Sequence, residues 1–480
     1  MVTVTYIFTN HDYHYANELT DKEYKSMNIL GNMDTFDSGD NPNFNTGTLF
    51  DLPTGKYVQG VDGEWYLTGG LPMHITVFGG RNGHFKSTIS NACTQRLSAI
   101  YPDSDLIIED TEDSLTKDKD RAYSMAEELA PKINKGNVQW LKGIDYDLDT
   151  FDKWFKDYCI QKEALGKELM VETPFFDEKT GKPLQVMIPT IMVMDSITEL
   201  VTAIEEDMVN GEKTTGIGDA KNNTVAMVDG NKKTLWIRTM RRRCQKYGIV
   251  FVGTGHYDKV LEMDPYSPTP KETIVGKQSW KLKRCGSNLK FLASIYAITN
   301  ATLLVDSSKE PLYDDGTSAS KDIFQVDVTL ERCKTACAGT TTPFVASQTK
   351  GFLNAVTNYH YLRLNNYFGL NGNKQKQQPF LAPDITISRN TVRSLASSSP
   401  QLRRALELAA QYCFIKNNWD TRSFHVDFNM EPAKIFDILN SDKKKTLVQD
   451  ILNTRGYWTY DKDALPYMSL IRMLELVKQG

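Results

Sequence analysis

The sequence has no long apolar run. Its longest apolar stretches, such as Ile188–Met194, are far shorter than the ~20 residues that span a bilayer. The N-terminus, MVTVTYIFTNHDYHY, also lacks the cationic start and the apolar core of a secretory signal. We therefore expect a cytoplasmic protein that does not enter a membrane.

Cysteines are few, and no two have the C-x-x-C spacing. There are 7, an odd number, and they are scattered along the chain, which does not suit a disulfide framework. Cys333 and Cys337 could form half of a metal site, but no cluster of histidines or cysteines accompanies them. We expect reduced thiols with structural roles.

An excess of positive charge is lacking too. The net charge of −4 argues against a protein that binds nucleic acid over its whole surface. The charge is nevertheless segregated. Residues 103–128 hold ten acids against three cations, 235–248 hold five cations and no acid, and 271–290 hold six cations and a single acid. A local basic track for phosphate groups therefore remains open.

The composition is that of a globular protein, with 40% hydrophobic and 24% charged residues. Length alone suggests about three domains. Polar, weakly periodic residues 1–68 predict an N-terminal extension or accessory unit, followed by a core over 69–368. The polar segment 369–383 predicts a linker, and helical spacing over 384–480 predicts a small α-rich C-terminal domain.

Apolar strands alternate with helical patterns through the core, which predicts an α/β fold with a mostly parallel, twisted sheet. The predicted strands are His74–Phe78, Leu106–Glu109, Thr190–Asp195, Gly248–Thr254, Ala297–Val305 and Phe324–Leu330. Two insertions interrupt the pattern. Val171–Pro189 predicts a hairpin, and Asn210–Lys233, rich in Gly, Asn and Lys, predicts a mobile loop.

A glycine-rich turn, GGRNGHFKST over 79–88, follows the first of these strands. In a P-loop, G-x-x-x-x-G-K-[ST], backbone N–H groups hold phosphates, the lysine reaches the β and γ oxygens, and the hydroxyl binds Mg²⁺. Gly80, Lys86 and Ser87 fit this pattern, but Phe85 replaces the last glycine, so an ordinary glycine turn is the alternative. The candidate nucleotide-binding residues are Gly80, Arg81, Asn82, Gly83, His84, Phe85, Lys86, Ser87 and Thr88.

The surroundings of this turn resemble a known family. The segment GGLPM at 69–73 precedes the strand as in RecA recombinases, and phenylalanine at position 85 resembles the UvsX-type recombinases of bacteriophages. The resemblance covers about 69–344. It implies a phage-encoded protein with a RecA-like P-loop NTPase core and with ATP and Mg²⁺ as cofactors, acting in the host cytoplasm or nucleoid or in a phage replication compartment.

Two further strands end in carboxylates. Asp195 ends one of them, where it can hold Mg²⁺ through water beside Ser87; a strand-capping Asp is the alternative. Glu112 follows the strand next in sequence to the P-loop helix, and is the candidate to orient the water that attacks ATP. The resemblance agrees, since the matching Glu of UvsX-type proteins is catalytic. Rival carboxylates are Glu109, Asp110 and Asp113.

His256 follows a third strand, and its interpretation depends on the resemblance. RecA has a γ-phosphate-sensing Gln at the matching position and UvsX-type proteins have His, which can donate to a phosphate oxygen; a satisfied surface histidine is the alternative.

The loop after His256, up to about Gly286, mixes cations with an aromatic residue, which suits single-stranded DNA but also a solvated surface. It falls where the second DNA-binding loop of the family lies, and 210–233 falls near the first. Its candidate DNA-binding residues are Lys271, Lys277, Trp280, Lys281, Lys283 and Arg284.

By the same resemblance, two segments are expected to contact neighbouring copies of the chain. Residues 286–294, GSNLKFLAS, resemble the RecA stretch GNALKFYAS, which lies at the subunit boundary in that family. Arg332 and Lys334 are two residues apart at a strand end, so both project to one face. The resemblance implies that they reach the ATP of the adjacent subunit as an arginine finger does; surface charges are the alternative. The candidate catalytic residues are thus Lys86, Glu112, His256, Arg332 and Lys334.

The resemblance implies a DNA-dependent ATPase that forms a helical homo-oligomer on single-stranded DNA. Such a protein promotes pairing with a homologous duplex and strand exchange in recombination and repair. Two alternatives stay open: a ring helicase with the same core, and an architectural DNA-binding protein with weak turnover, which the unusual Phe85 would suit.

Overall fold

The fold is given by a computed structural model, which describes residues 41–112, 126–142, 147–177, 180–203, 220–259, 280–282, 289, 291–313, 322–333, 336, 338–441 and 446–479. Asn41–Gly480 forms one compact unit. None of the helices in these ranges is long and apolar enough to cross a membrane. The cysteines described, Cys93, Cys159, Cys244, Cys333 and Cys413, are free thiols.

The described residues form 16 strands and 10 α-helices. The strands are β1 (Tyr57–Gln59), β2 (Trp65–Leu67), β3 (Ile75–Gly80), β4 (Asp105–Asp110), β5 (Val138–Lys142), β6 (Met170–Phe176), β7 (Pro183–Met187), β8 (Thr190–Asp195), β9 (Ile249–Lys259), β10 (Trp280–Leu282), β11 (Ser294–Leu303), β12 (Ile323–Arg332), β13 (Thr341–Ser347), β14 (Gly351–Phe352), β15 (Leu370–Gly372) and β16 (Gln377–Pro379). The helices are α1 (Lys86–Ile100), α2 (Ala126–Lys135), α3 (Leu148–Leu165), α4 (Ala220–Tyr247), α5 (Asn354–Leu364), α6 (Val392–Ser398), α7 (Pro400–Asn418), α8 (Pro432–Leu439), α9 (Leu447–Leu452) and α10 (Leu470–Lys478).

A mixed sheet of 10 strands forms the centre, in the order β14-β13-β12-β11-β3-β9-β8-β4-β5, with β10 paired to β9. From β11 to β5 every neighbouring pair is parallel. The strands β12, β13 and β14 extend one side in antiparallel pairs, and β10 is antiparallel to β9. The predicted α/β class with a large, mostly parallel sheet is therefore confirmed.

Helices cover both faces of this sheet because its central strands are apolar on both sides. Every residue of β8 is buried, and successive side chains point to opposite faces. One face packs against α1, in a cluster that includes Ile89, Leu97, Val193 and Val250. The other face packs against α3 and α4, in a cluster that includes Phe155, Met240, Met192 and Phe251. This arrangement leaves the carboxyl ends of the parallel strands at one edge.

The predicted strands match the observed ones within a few residues, and Thr190–Asp195 matches completely. The strand β9 runs to Lys259, past the predicted end at Thr254, because its last residues pair with β10. The hairpin predicted over Val171–Pro189 is confirmed by the antiparallel pair β6 and β7.

The mobile loop predicted over Asn210–Lys233 is wrong for its second half, which belongs to α4. Its Gly and Asn residues each cost a helix about 1 kcal/mol or less. Burial of Ile237 and Met240 further along the same helix contributes about 1.5–3 kcal/mol for each side chain. Packing therefore outweighs composition here, whereas 210–219 lie outside the described residues.

The linker predicted over 369–383 is also wrong. Its residues form the short hairpin β15–β16, and Phe380 and Leu381 are both 1% exposed. The helices after it share one apolar cluster with the sheet, so the predicted C-terminal domain is not separate. The boundary predicted at 68 does not divide the unit either, since Phe50 packs against Tyr296 of β11 with ring centroids 4.4 Å apart.

Candidate active site

The glycine-rich turn joins the end of β3 to the start of α1. Gly83 and Phe85 have positive φ angles of 75° and 61°, and α1 then begins at Lys86. No side chain caps this helix start with a hydrogen bond. Because the first N–H groups of a helix have no partner inside it, they are available to an anion such as a phosphate.

Phe85 adopts the left-handed conformation that glycine provides in the usual P-loop. That conformation costs a residue with a side chain about 1–2 kcal/mol. The Phe85 ring packs against Phe324 of β12, with centroids 5.0 Å apart, which offsets this cost. Phe85 therefore keeps the backbone conformation of the usual P-loop turn, and its ring anchors the turn to β12.

Lys86 is 6% exposed, and its Nζ atom donates to the carbonyl oxygen of Arg81 at 2.9 Å. The ammonium thus lies across the mouth of the turn. Burial lowers the pKa of Lys86, and the carboxylates of Asp195 and Glu112 oppose that shift. The two carboxylates are therefore close enough to act on the lysine charge.

Asp195 ends β8 and is 3% exposed. One of its oxygens, Oδ1, accepts a hydrogen bond from Thr254 on β9, whereas the buried Oδ2 has no hydrogen-bond donor among the described residues. Burial raises the pKa of Asp195, and the nearby hydroxyls of Ser87 and Thr254 lower it. A buried carboxylate oxygen with no donor, beside a serine hydroxyl, fits a magnesium ion held through water.

Glu112 and His256 form a hydrogen-bonded pair, with Nε2 and Oε1 2.9 Å apart. Glu112 follows β4, and His256 lies on β9 opposite Gly80 in the register. The hydrogen bond from His256 lowers the pKa of Glu112, burial opposes it, and Ser196 and Lys86 add to the lowering. Glu112 is therefore an ionised acceptor beside the turn.

Thr111 fixes the position of Glu112 relative to Asp195. Its Oγ1 donates to the carbonyl of Ser196 at 2.8 Å and accepts from the Ser196 N–H at 2.6 Å, while its own N–H donates to the Asp195 carbonyl. The Asp195–Ser196 peptide bond is cis. Sequence reasoning missed Thr111 and Thr254, although both stand next to or near residues that it did identify.

A cleft of about 590 Å³ lies at the carboxyl ends of β3, β4, β8 and β9. Its lining residues are Asn82, Gly83, Lys86, Ser87, Thr111, Glu112, Asp195, Glu199 and His256. The volume is in the range of small-molecule sites, roughly 300–1,000 Å³. The cleft brings together the predicted lysine, serine, aspartate, glutamate and histidine, and adds Glu199, which no sequence pattern had indicated.

Other predicted residues lie elsewhere. Arg81 is exposed, Thr88 is buried in α1, and His84 turns towards the carbonyl of Ile298, 3.5 Å from its Nδ1. The rivals of Glu112, Glu109 and Asp110, are fully buried and do not line the cleft, and Asp113 lies outside the described residues. Glu112 is thus the carboxylate after β4 that the cleft exposes.

The residues predicted to contact a neighbour or DNA are only partly described. Arg332 ends β12 away from the cleft, with its guanidinium 5.2 Å from the ring centroid of Phe291, which is 51% exposed. Trp280 and Lys281 lie on β10, which pairs with the end of β9. The remaining candidates, Lys271, Lys277, Lys283, Arg284 and Lys334, lie outside the described residues.

Within the described ranges, no group of three or more His, Cys, Asp or Glu side chains could hold a metal ion. No protein-family model matches the chain, and no curated protein matches it significantly.

Proposed function

We propose that this chain is an ATP-dependent DNA recombinase with a RecA-like core, which assembles on single-stranded DNA and pairs it with a homologous duplex. The observation that carries the proposal is the cleft in which Lys86, Ser87 and Asp195 lie with the Glu112–His256 pair. A P-loop ATPase needs a phosphate cradle, a lysine, a hydroxyl–carboxylate pair for Mg²⁺ and a group that orients water. The residues that we assign to these four roles line one cleft at the carboxyl ends of parallel strands, which supports the proposal.

The nucleotide would bind on the turn that precedes α1. Its phosphates would accept from the N–H groups at the start of the helix, and the ammonium of Lys86 would leave the Arg81 carbonyl for a phosphate oxygen. Ser87 and Asp195 would hold Mg²⁺, which when bound neutralises charge on the β and γ phosphate oxygens. The Asp195 oxygen without a donor supports this assignment.

ATP binding would separate the Glu112–His256 pair before hydrolysis. Glu112 would orient the attacking water, and His256 would donate to the γ-phosphate, so each exchanges the other for a new partner. The ionised state of Glu112 suits the acceptance of a hydrogen bond from water. Because His256 lies on β9, this change of hydrogen-bond partner would alter the position of the end of β9, which leads into the proposed DNA-binding loop.

Support for DNA binding and assembly comes from charge and position. The proposed DNA-binding loop, from Tyr257 to about Gly286, carries five of the six cations of 271–290. Cations beside an aromatic residue suit single-stranded DNA. Among the described residues, Arg332 is not part of the cleft of its own chain. A cation in that position can serve the nucleotide of a neighbouring copy, so that bound ATP would join subunits and hydrolysis would release them.

The direct test is ATP hydrolysis with and without single-stranded DNA, comparing the natural chain with Lys86→Ala. A matched control is Lys167→Ala, which removes an exposed lysine close to the end of α3 and outside the proposed DNA-binding segments. We expect Mg²⁺-dependent, DNA-stimulated turnover that Lys86→Ala abolishes and Lys167→Ala preserves. DNA binding without turnover would favour the architectural alternative, and unwinding of a forked duplex would favour the helicase.

A further inference from the structure

The side chain of Tyr257, the residue after His256, lies across the sheet. It shares a face with Gly255, and its ring covers Gly79 on the adjacent strand β3. A Cβ atom at Gly79 would come within 2.6 Å of the Tyr257 ring, far inside a normal contact. Gly79 pairs with Gly255 on one side and with Ala297 on the other, so small residues form the floor beneath the ring.

The Tyr257 hydroxyl donates to Oε2 of Glu331 on β12 at 2.7 Å. Two strands, β3 and β11, separate β9 from β12, so this hydrogen bond spans the middle of the sheet. Burial raises the pKa of Tyr257 well above its ordinary value, and Glu331 raises it further. The tyrosine is therefore a permanent donor in this contact.

A β-bulge directs Glu331 towards the tyrosine. Ile295 pairs with Arg332 and Tyr296 pairs with Leu330, so Glu331 is the extra residue on β12. Bulges of this kind turn a side chain away from the regular alternation, and they occur often beside functional sites. Glu331 is 6% exposed, so its carboxylate is held within the fold and not in solvent.

Each end of this hydrogen bond adjoins a different part of the proposed machinery. Tyr257 follows His256 and pairs with Leu282, where the two arms of the proposed DNA-binding loop meet. Glu331 precedes Arg332, the cation proposed to serve the neighbouring subunit. A rigid contact between them links the base of the loop to the end of β12.

We propose that Tyr257 and Glu331 are positioning residues that transmit the state of the loop to Arg332, an inference that rests on the proposed function. DNA bound to the loop of one subunit would fix the end of β9, and the hydrogen bond would fix the end of β12 through it. Arg332 would then be held ready for the ATP of the adjacent copy. Stimulation of turnover by DNA, and not turnover itself, depends on this contact.

The test uses Tyr257→Phe in the full chain, which removes only the hydroxyl. We expect basal turnover and DNA affinity to stay within about twofold of the natural chain. Stimulation by single-stranded DNA is expected to fall about tenfold, in the usual range for coupling between sites. Glu331→Ala should lose as much stimulation as Tyr257→Phe, whereas Glu331→Gln should keep most of it. The double variant Tyr257→Phe/Glu331→Ala should lose no more stimulation than either single change.

Tyr247→Phe is the matched control, because the Tyr247 hydroxyl donates to Glu163 at 3.1 Å on the exposed side of α4. It should leave both turnover and stimulation unchanged. Full stimulation in Tyr257→Phe would overturn the inference. An equal loss of basal and stimulated turnover would also overturn it, since that result indicates a structural role alone.

Amide hydrogen exchange provides a readout that does not need turnover. In the natural chain, single-stranded DNA should slow amide exchange in a peptide covering 323–333. Tyr257→Phe should lose this protection. The control peptide covering 75–80 should exchange at the same rate in both chains. Absence of protection in the natural chain, with DNA bound, would contradict the inference and leave the recombinase proposal standing. Absence of DNA binding would contradict both.

Discussion

The Nε2 atom of His256 lies 2.9 Å from Oε1 of Glu112, although their strands, β9 and β4, are separated by β8. The pair therefore crosses above the end of β8, where Asp195 lies. A phosphate that entered the cleft would meet both members and the carboxylate between them. This relationship makes the pair the centre of the proposed chemistry.

Glu112→Gln tests the role of the carboxylate. The amide oxygen can still accept from His256, so the fold should persist, but the ionised group that would orient water is gone. We expect kcat for ATP to fall by about 10²–10⁴, with ATP affinity nearly unchanged. Glu163→Gln, on the surface of α3, is the control. Turnover close to that of the control would remove Glu112 from the proposed chemistry.

Substitutions of Phe85 should follow an unusual order of stability. Both Phe85→Gly and Phe85→Ala lose the contact with Phe324, but only alanine retains the cost of the left-handed backbone. We expect the alanine variant to be less stable than the glycine variant by about 1 kcal/mol in urea unfolding. At Ser394, exposed within α6, glycine should instead be the less stable of the two. The same order at both positions would contradict the account of the turn.

Lys162 predicts a dependence of stability on pH. It is 6% exposed on α3, donates to the Ile188 carbonyl and the Thr190 hydroxyl, and burial lowers its pKa to about 7 from 10.5. Between these two values the unfolded chain binds more protons than the folded one, so the free energy of unfolding rises with pH. Relative to that of Lys162→Met, the free energy of unfolding of the natural chain should rise by up to about 1.4 kcal/mol per pH unit.

The measurement for Lys162 is urea unfolding at several pH values from 7 to about 9. Lys132, whose pKa burial lowers to about 8, titrates in both chains and cancels in the comparison. Lys167→Met, which removes an exposed lysine close to the end of α3, is the control and should follow the natural chain. Parallel curves for Lys162→Met and the natural chain would show that Lys162 does not titrate in this window.

Neutralising the cations of the loop tests the DNA assignment. Replacing Lys281, Lys283 and Arg284 with glutamine should weaken binding to single-stranded DNA. The slope of the logarithm of the binding constant against the logarithm of the salt concentration should become shallower by about 2, because each cation that contacts a phosphate releases about 0.7 counterions from a single strand. The control is the double change of Lys374 and Lys376 to glutamine, both exposed at the β15–β16 turn. An unchanged slope would leave the loop without its proposed role.

Much of the cleft was predictable because each of its parts is local in sequence. A strand followed by glycines and Lys86, and a strand that ends in Asp195, can each be recognised without knowledge of the other. Parallel strands then bring their carboxyl ends to one edge, which gathers the parts. Which carboxylate at or after the end of β4 lines the cleft was not predictable, since it depends on the burial of Glu109 and Asp110.

The errors and omissions have a different origin. The contact between Tyr257 and Glu331 depends on strand order and on a bulge, neither of which leaves a pattern in the sequence. The linker prediction at 369–383 relied on polar composition, but Phe380 and Leu381 bury themselves against helices that come later in the chain. Composition reports local tendency, whereas these features follow from packing between distant segments.

The most direct test of the central claim is electron microscopy of the purified chain with single-stranded DNA, Mg²⁺ and a slowly hydrolysed ATP analogue, beside a sample without nucleotide. The account predicts helical filaments on DNA that require the nucleotide, and their loss in Lys86→Ala. Closed rings, or particles that do not bind DNA, would contradict it.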